Sequence, residues 1–276
     1  MRMLIRNIPC FLLFTLLSSG SMAQTVTPSS VSINGNTLQA KLQVTTLIEV
    51  DLVVEFEKSV GLNADNINIS ATLSDVNASN ITNRLSSADI KVIPTFPVII
   101  SISPKADAGF AFEGLASVEI YTKSVDYNTA MPARIFRSHA NSNFEDITSM
   151  ISAGSIRARG NTGSFSDFML LLDERNNADV IDDTFSQLNQ LVSQYNNHIS
   201  ATLAITIQTG ISALQQALLM TDYTAALEVV EELIIVTENA SGEQLSNVWR
   251  SSNDLVNMQG ELLTRLRTLK YSLRVI

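Results

Sequence analysis

The sequence predicts an α+β chain: an N-terminal antiparallel β-sandwich over residues 24–173, a polar linker over 174–179, and a C-terminal three- to four-helix bundle over 180–276. Three observations predict it. Residues 1–23 have the charge and apolar run of a secretory signal peptide. From Thr25 to Asp173 apolar residues recur at every second position, and after Asp173 at every third or fourth. The first period lines one face of a strand; the second lines one stripe of a helix.

The leader comes first. Arg2 and Arg6 give a positive start, and Ile8 to Leu17 is apolar apart from Pro9 and Thr15. Ser21-Met22-Ala23 then supplies the small side chains a signal peptidase admits, so cleavage is expected before Gln24. The apolar run is well short of the ~20 residues that cross a bilayer. The expected mature chain is therefore periplasmic or secreted, with no membrane span after cleavage. Cys10 lies inside the leader without a small-residue box, so lipid attachment there is not expected.

Cleavage leaves 253 residues, enough for two ordinary domains. The only cysteine departs with the leader, which excludes a disulfide, a thiolate nucleophile and a cysteine metal ligand. Two arginines depart as well, so 16 basic residues face 27 acidic ones, a net charge of −11. The acids are spread along the chain, as suits solubility. Nucleic acid and anionic lipid are poor partners for such a chain, because neutralising phosphates needs clustered Lys and Arg.

The strand half is read from alternation. Ile48 to Glu57 alternates apolar and acidic residues through most of its length, the pattern of a strand with one buried face. The style recurs at Leu38–Val44, Ile67–Leu73, Val98–Ile102, Val118–Tyr121, Ile156–Arg159 and Phe165–Leu172. Asn34-Gly35 is expected to form a hairpin turn, since both residues tolerate positive φ. Pro94, Pro97, Pro104 and Pro132 fall between the runs, where a missing N–H does no damage. Many short strands separated by turn signals indicate a sandwich or barrel.

The helical half begins after a polar stretch, Glu174 to Asp179. Ile181, Phe185, Leu188, Val192, Tyr195 and Ile199 step by three and four along one helix face. Ser200 to Gly210 alternates, but Leu203, Ile207, Ile211, Leu214 and Leu218 fit a helical stripe, and helix is the expectation. Tyr223, Ala226, Leu227, Val230, Leu233, Ile234 and Thr237 form the next stripe, with Thr221-Asp222 as its cap. The last helix is expected to run through Leu245, Val248, Ser252, Leu255, Gln259, Leu262, Leu266 and Leu269, with Ser241 and Gln244 as its capping box. Leu269 to Val275 also alternates and is open between frayed end, helix and edge strand. Short helices of this kind are stabilised by packing their stripes together in an antiparallel bundle.

Two resemblances are carried by particular segments. Leu214, Ala217, Tyr223, Ala225-Ala226-Leu227, Val230, Leu233-Ile234, Ser241-Gly242 and Leu255 resemble the FIMAH domain, a small helical module near the C-terminus of secreted and cell-surface bacterial proteins. The chain departs from it at Asp222, where Gly or Asn is favoured, and at Thr237, usually apolar. The whole mature chain resembles a family of exported proteobacterial proteins with no assigned function. That likeness rests on Ser30–Asn36, Phe144–Thr148, Gly154–Gly160, Gly163–Phe168 and Asn247–Ser251. Asp146-Ile147-Thr148 and Phe165-Ser166-Asp167-Phe168 are also similar to the last strands of extracellular Ig-like sandwiches, which implies an Ig-like N-terminal half. Neither resemblance implies a catalytic residue, cofactor or substrate.

Each group capable of chemistry also has a plainer role. His139 and His198 are the only histidines; neither lies in a catalytic motif, and they are expected in a loop and near a helix end. Nucleophile-elbow, zinc-helix and nucleotide-loop patterns are absent from the sequence. Asp173, Glu174, Asp179, Asp182 and Asp183 cluster at the junction, but lack the glycine and oxygen spacing of a calcium loop, so a solvated linker and helix start are expected. Glu55 and Glu57 share a strand face, expected to be its wet face. Gly160-Asn161-Thr162-Gly163-Ser164 precedes no helix and is expected to be a hairpin turn. Trp249 is expected in core or interdomain packing rather than in a ligand platform.

The reading is a non-enzymatic extracytoplasmic binding or structural module. No catalytic, cofactor-binding or metal-binding residue and no cofactor is assigned. Its partner would be an envelope or extracellular protein or a glycan. The alternatives are a carboxylate-based glycan hydrolase, with two acids about 5–10 Å apart across a cleft, and a calcium-dependent adhesive module.

Overall fold

A computed structural model describes residues 23–139 and 141–276. The expected leader, apart from Ala23, lies outside them. The chain forms two antiparallel sheets followed by helices. The first sheet runs β1 (Gln24–Val26), β5 (Ile67–Leu73), β7 (Val98–Pro104), β13 (Asp167–Asp173), β9 (Ala133–Ser138) and β10 (Glu145–Asp146), with β6 (Ile90–Val92) also pairing β13. The second runs β11 (Thr148–Ser152), β12 (Gly154–Thr162), β8 (Ala111–Tyr127), β4 (Glu49–Val60), β3 (Thr37–Gln43) and β2 (Ser30–Asn34).

The alternation decides which face is buried. Along β4, Val50, Leu52, Val54 and Phe56 are buried while Glu49, Glu55 and Glu57 are exposed. These side chains meet Ile69, Val98, Ile100, Ile102 and Phe168 of the first sheet in one apolar cluster. The far side of the first sheet is covered too. There Ile90, Val92, Ile99, Phe136, Met169 and Leu171 pack with Phe144 and with Ile81 of the one-turn helix α1 (Ser79–Thr82).

Asp173 leads directly into the helices. Asn176 caps α2 (Asn177–Gln194) by accepting a hydrogen bond from the Asp179 N–H at 2.9 Å, so the helix starts three residues before the expected 180. Ala201–Leu219 (α3) is helical, as expected for the ambiguous stretch from Ser200. Tyr223–Glu238 (α4) follows and is capped by Asp222, again as expected. The tail is helical through Arg274 in α5 (Met258–Arg274). Leu188, Leu191, Leu203, Ile207, Leu214, Val230, Leu233, Leu262, Leu266 and Leu269 share a second apolar cluster with Leu115 of β8.

Four expectations need correcting. Leu245 to Asn257 is not helical: Gln244 accepts from the Ser241 N–H as a capping box requires, but a turn follows. Val248–Arg250 instead forms β14 and pairs with Ala111–Glu113 of β8. The expected stripe fails physically, since Ser252 and Leu255 stand exposed. Gly160-Asn161-Thr162 lies inside β12, and Gly163 to Ser166 crosses from the second sheet to the first, so the segment is no hairpin turn. In the β2–β3 hairpin Asn34 pairs with Thr37, so the turn residues are Gly35 and Asn36, and only Gly35 has positive φ, at 58°. Pro104 ends β7 rather than lying outside it.

The long helix seated on the sheets is α5. Gly260, Thr264, Thr268 and Ser272 recur every fourth residue and so share one face. A Cβ on Gly260 would meet the Gly114 carbonyl oxygen and the Gly163 Cα, both at 2.8 Å. At the other end Ser272 accepts a hydrogen bond from Arg134 Nη1 at 2.9 Å. Small side chains thus let α5 lie close on strands from both sheets, and its leucines face the other helices. Among the described residues no helix is long and apolar enough to cross a membrane.

Candidate functional site

A cleft of about 350 Å³ opens where the sheet crossover, the C-terminal half of α2 and the start of α5 meet. Its floor is charged. In β9, Ala133 and Ile135 point into the shared core, and Arg137, two further on, continues that face to the sheet's end. Arg137 meets Glu261 in a bidentate pair at 2.6 and 2.8 Å. Glu261 also accepts from Arg265 Nη1 at 2.9 Å, one helical turn along α5. Arg265 Nη2 donates to Glu145 at 3.0 Å, and Glu145 returns to Arg137 at 3.5 Å.

The four charges form a closed ring that sums to zero. The Arg137, Glu261 and Arg265 side chains are 5%, 13% and 11% exposed, against 36% for Glu145. Burial alone would push the Glu261 carboxyl up. The charge and hydrogen bonds of Arg137, then of Arg265, outweigh it and hold the carboxyl well below its usual range. Arg137 shows the mirror effect: burial disfavours its charge, but Glu261 and then Glu145 raise its pKa further. Thr162 and Ser164 accept from Arg137 at 2.8 and 3.2 Å, so the guanidinium is nearly saturated.

The walls are polar but uncharged. Gln187, Gln190 and Gln194 recur at i, i+3 and i+7 along one face of α2. Among the described residues none of these amides has a hydrogen-bond partner. The same holds for Asn253, on the loop before α5, and for the Tyr195 hydroxyl. Leu191, Leu255 and Val256 add apolar area, and Trp249 lines the base. Trp249 is 5% exposed. It packs against Phe110, Phe112 and Phe165, with ring centroids 6.1, 5.5 and 5.5 Å away.

The residues singled out from sequence are scattered. His139 is exposed on the rim, its Nδ1 3.3 Å from the Phe165 carbonyl oxygen. His198 ends a short turn after α2, 3.3 Å from the Ser246 hydroxyl, and is not part of the lining. The acid cluster does not converge. Asp173 is fully buried and clamped by Arg175 at 2.7 and 2.8 Å, which also reaches Asp183 at 2.8 Å, while Glu174 pairs with Lys91. Two hydrogen bonds to Asp173, opposed by burial and reinforced by Asp183, raise the Arg175 pKa. Glu55 and Glu57 stand on the exposed face of β4. Gly163 and Ser164, from the expected turn, do line the cleft.

Sequence reasoning missed the ring. Arg134 and Arg137 inside an otherwise apolar strand were the available signal, because a buried arginine requires a carboxylate partner. The Glu261–Arg265 spacing was the other.

No curated protein and no solved structure matches the chain. A family model described as a family of unknown function, DUF6689, matches residues 11–276, and the chain belongs to that family.

Proposed function

We propose that this protein is an exported, non-enzymatic binding module, and that the cleft beside Trp249 holds its ligand. In this reading the facing sheets are an Ig-like sandwich, and the helices are a FIMAH-like bundle that closes one side of the site. The observation that carries it is the row of unpartnered amides on α2, facing a floor whose charges are already paired. Such a site offers hydrogen bonds and apolar contact.

Catalysis by carboxylates has less support. Glu261 is held ionised by two arginines, so it is a poor general acid, and Glu145 is tied to the same pair. Calcium-dependent adhesion has less support as well, because Arg175 occupies the centre of the acid cluster.

The compartment is tested by expressing the full chain. The expected product is periplasmic or secreted, and its intact mass begins at Gln24; a cytosolic chain still carrying residues 1–23 would defeat export. Binding is tested through the single tryptophan. Trp249 emission should shift when polysaccharide or protein fractions of an envelope extract are added. Gln194→Arg, which places a long cation in the cleft, should abolish that shift. If no fraction changes the emission of the unaltered protein, the cleft is not a ligand site.

A further inference from the structure

We infer that the cleft takes an uncharged, polyhydroxylated ligand, a segment of neutral glycan lying along Gln187, Gln190 and Gln194 above the base that Trp249 lines. The inference rests on the binding reading above and narrows it to a ligand class.

Charge is decided by the ring. Both arginines are committed to both glutamates, and no countercharge remains for an ion. An anionic ligand would have to displace Glu145, the most exposed member, and leave that carboxylate unpaired beside the ligand's own charge. The surplus of acids over the whole chain repels anions further. A cationic ligand meets glutamates already neutralised at contact distance.

Hydrogen-bonding chemistry decides the rest. Each glutamine amide offers two N–H donors and a carbonyl acceptor. A sugar hydroxyl both donates and accepts, so every hydroxyl can be matched by an amide. The run from 187 to 194 extends about 10 Å along the helix, enough to lie beside a disaccharide. Tyr195, at the end of the same helix, and Trp249, at the base, add aromatic surface beside Leu191, Leu255 and Val256, which suits the apolar C–H face of a sugar ring. The competing ligand is a peptide. It would be recognised through an open strand edge or a groove of apolar anchors; this wall is a helix face carrying amides.

The test is calorimetry on the mature chain, titrated separately with maltotriose, cellotriose, diacetylchitobiose, trigalacturonate and trialanine, with Trp249 emission read in parallel. At least one neutral sugar should bind and change the emission. The double variant Gln190→Ala/Gln194→Ala alters two exposed side chains and should keep the fold. It should weaken that binding about tenfold or more, since each lost hydrogen bond is worth roughly three- to tenfold. Binding of trigalacturonate or trialanine alone, lost in the double variant, overturns the neutral-glycan inference while leaving the cleft as the ligand site. Sugar binding that the double variant does not affect overturns the inference too, as does a complete lack of response to the three neutral sugars. The cleft reading would then stand or fall on the envelope fractions alone.

Discussion

Replacing Glu261 by Gln is expected to destabilise the protein by about 3–5 kcal/mol, the usual cost of leaving a buried charge without its partner. The substitution keeps the side chain's volume, so the loss is electrostatic rather than a cavity. Arg137 would retain two hydroxyl acceptors and a distant Glu145 at 3.5 Å, with its side chain only 5% exposed. Arg265 would lose one of its two carboxylates. At about 2–4 °C per kcal/mol for a chain of this size, the melting temperature should fall by roughly 10 °C. Lys58→Met is the control: it breaks an ion pair of similar length, 2.9 Å, whose members are 71% and 41% exposed. Exposed pairs contribute about 1 kcal/mol or less.

The pH dependence gives the effect a sign. The folded Glu261 carboxyl titrates below its ordinary value of 4.5, so on acidification the unfolded chain takes up this proton first. Its contribution is complete above that value and drains away as pH falls towards the lower folded one. The gap between parent and Glu261→Gln should therefore be constant near neutrality and shrink in acid. A gap that stays equally wide at pH 7 and well below pH 4 would show that the ring does not stabilise through this charge.

Strands with one wet face were plain in the sequence; of those with two dry faces, β7 and β13 were still betrayed by apolar runs at Val98–Ile102 and Phe165–Leu172, whereas β9 was not. In β4 the solvent side carries Glu49, Glu55 and Glu57, and the alternation is plain. In β9 every residue is buried, because the first sheet is covered on both sides. Its sequence, Ala-Arg-Ile-Phe-Arg-Ser, has no period: two of its core-depth positions are arginines made tolerable by Asp146 and Glu261. β14 was hidden differently. Val248 fits a helical stripe begun at Leu245, with Trp249 beside it, and the Ala111–Glu113 end of β8 that β12 leaves unpaired draws them into a strand. Tertiary pairing overrode local pattern there. The cleft was hidden most completely. Its members come from β9, β10, α2, β14 and α5, and a zero-sum ring leaves no local charge excess to notice. The α2 glutamines look, in sequence, like any solvated helix face.

A close approach of helix to backbone carries the other large prediction. Gly260 lies in the first turn of α5, where Gly→Ala would ordinarily gain about 1 kcal/mol of helix propensity. Here the sign should reverse. A Cβ would fall 2.7 Å from Asn257 Nδ2, and 2.8 Å from both the Gly114 carbonyl oxygen and the Gly163 Cα. Two of those neighbours are backbone and cannot rotate aside. The third belongs to the helix cap, since Asn257 accepts from the Gly260 N–H at 2.9 Å and donates to Gly114 at 2.6 Å. Overpacking costs about 1–3 kcal/mol and a disturbed cap about 1 more, against about 1 gained in propensity, so Gly260→Ala should lose about 1–3 kcal/mol. It should also shift Glu261, the next residue, and so weaken whatever binding the cleft shows. Gly210→Ala is the comparison, a glycine inside α3 whose Cβ would meet the Leu233 side chain, its nearest atom at 2.6 Å. Leu233 is buried but is a side chain rather than backbone, and helix propensity offsets part of the contact, so the change should cost less than Gly260→Ala. Urea unfolding of the two variants decides the matter: if Gly260→Ala proves as stable as Gly210→Ala, α5 is not seated on the sheets through its glycine, and the geometry that aims Glu261 at Arg137 loses its foundation.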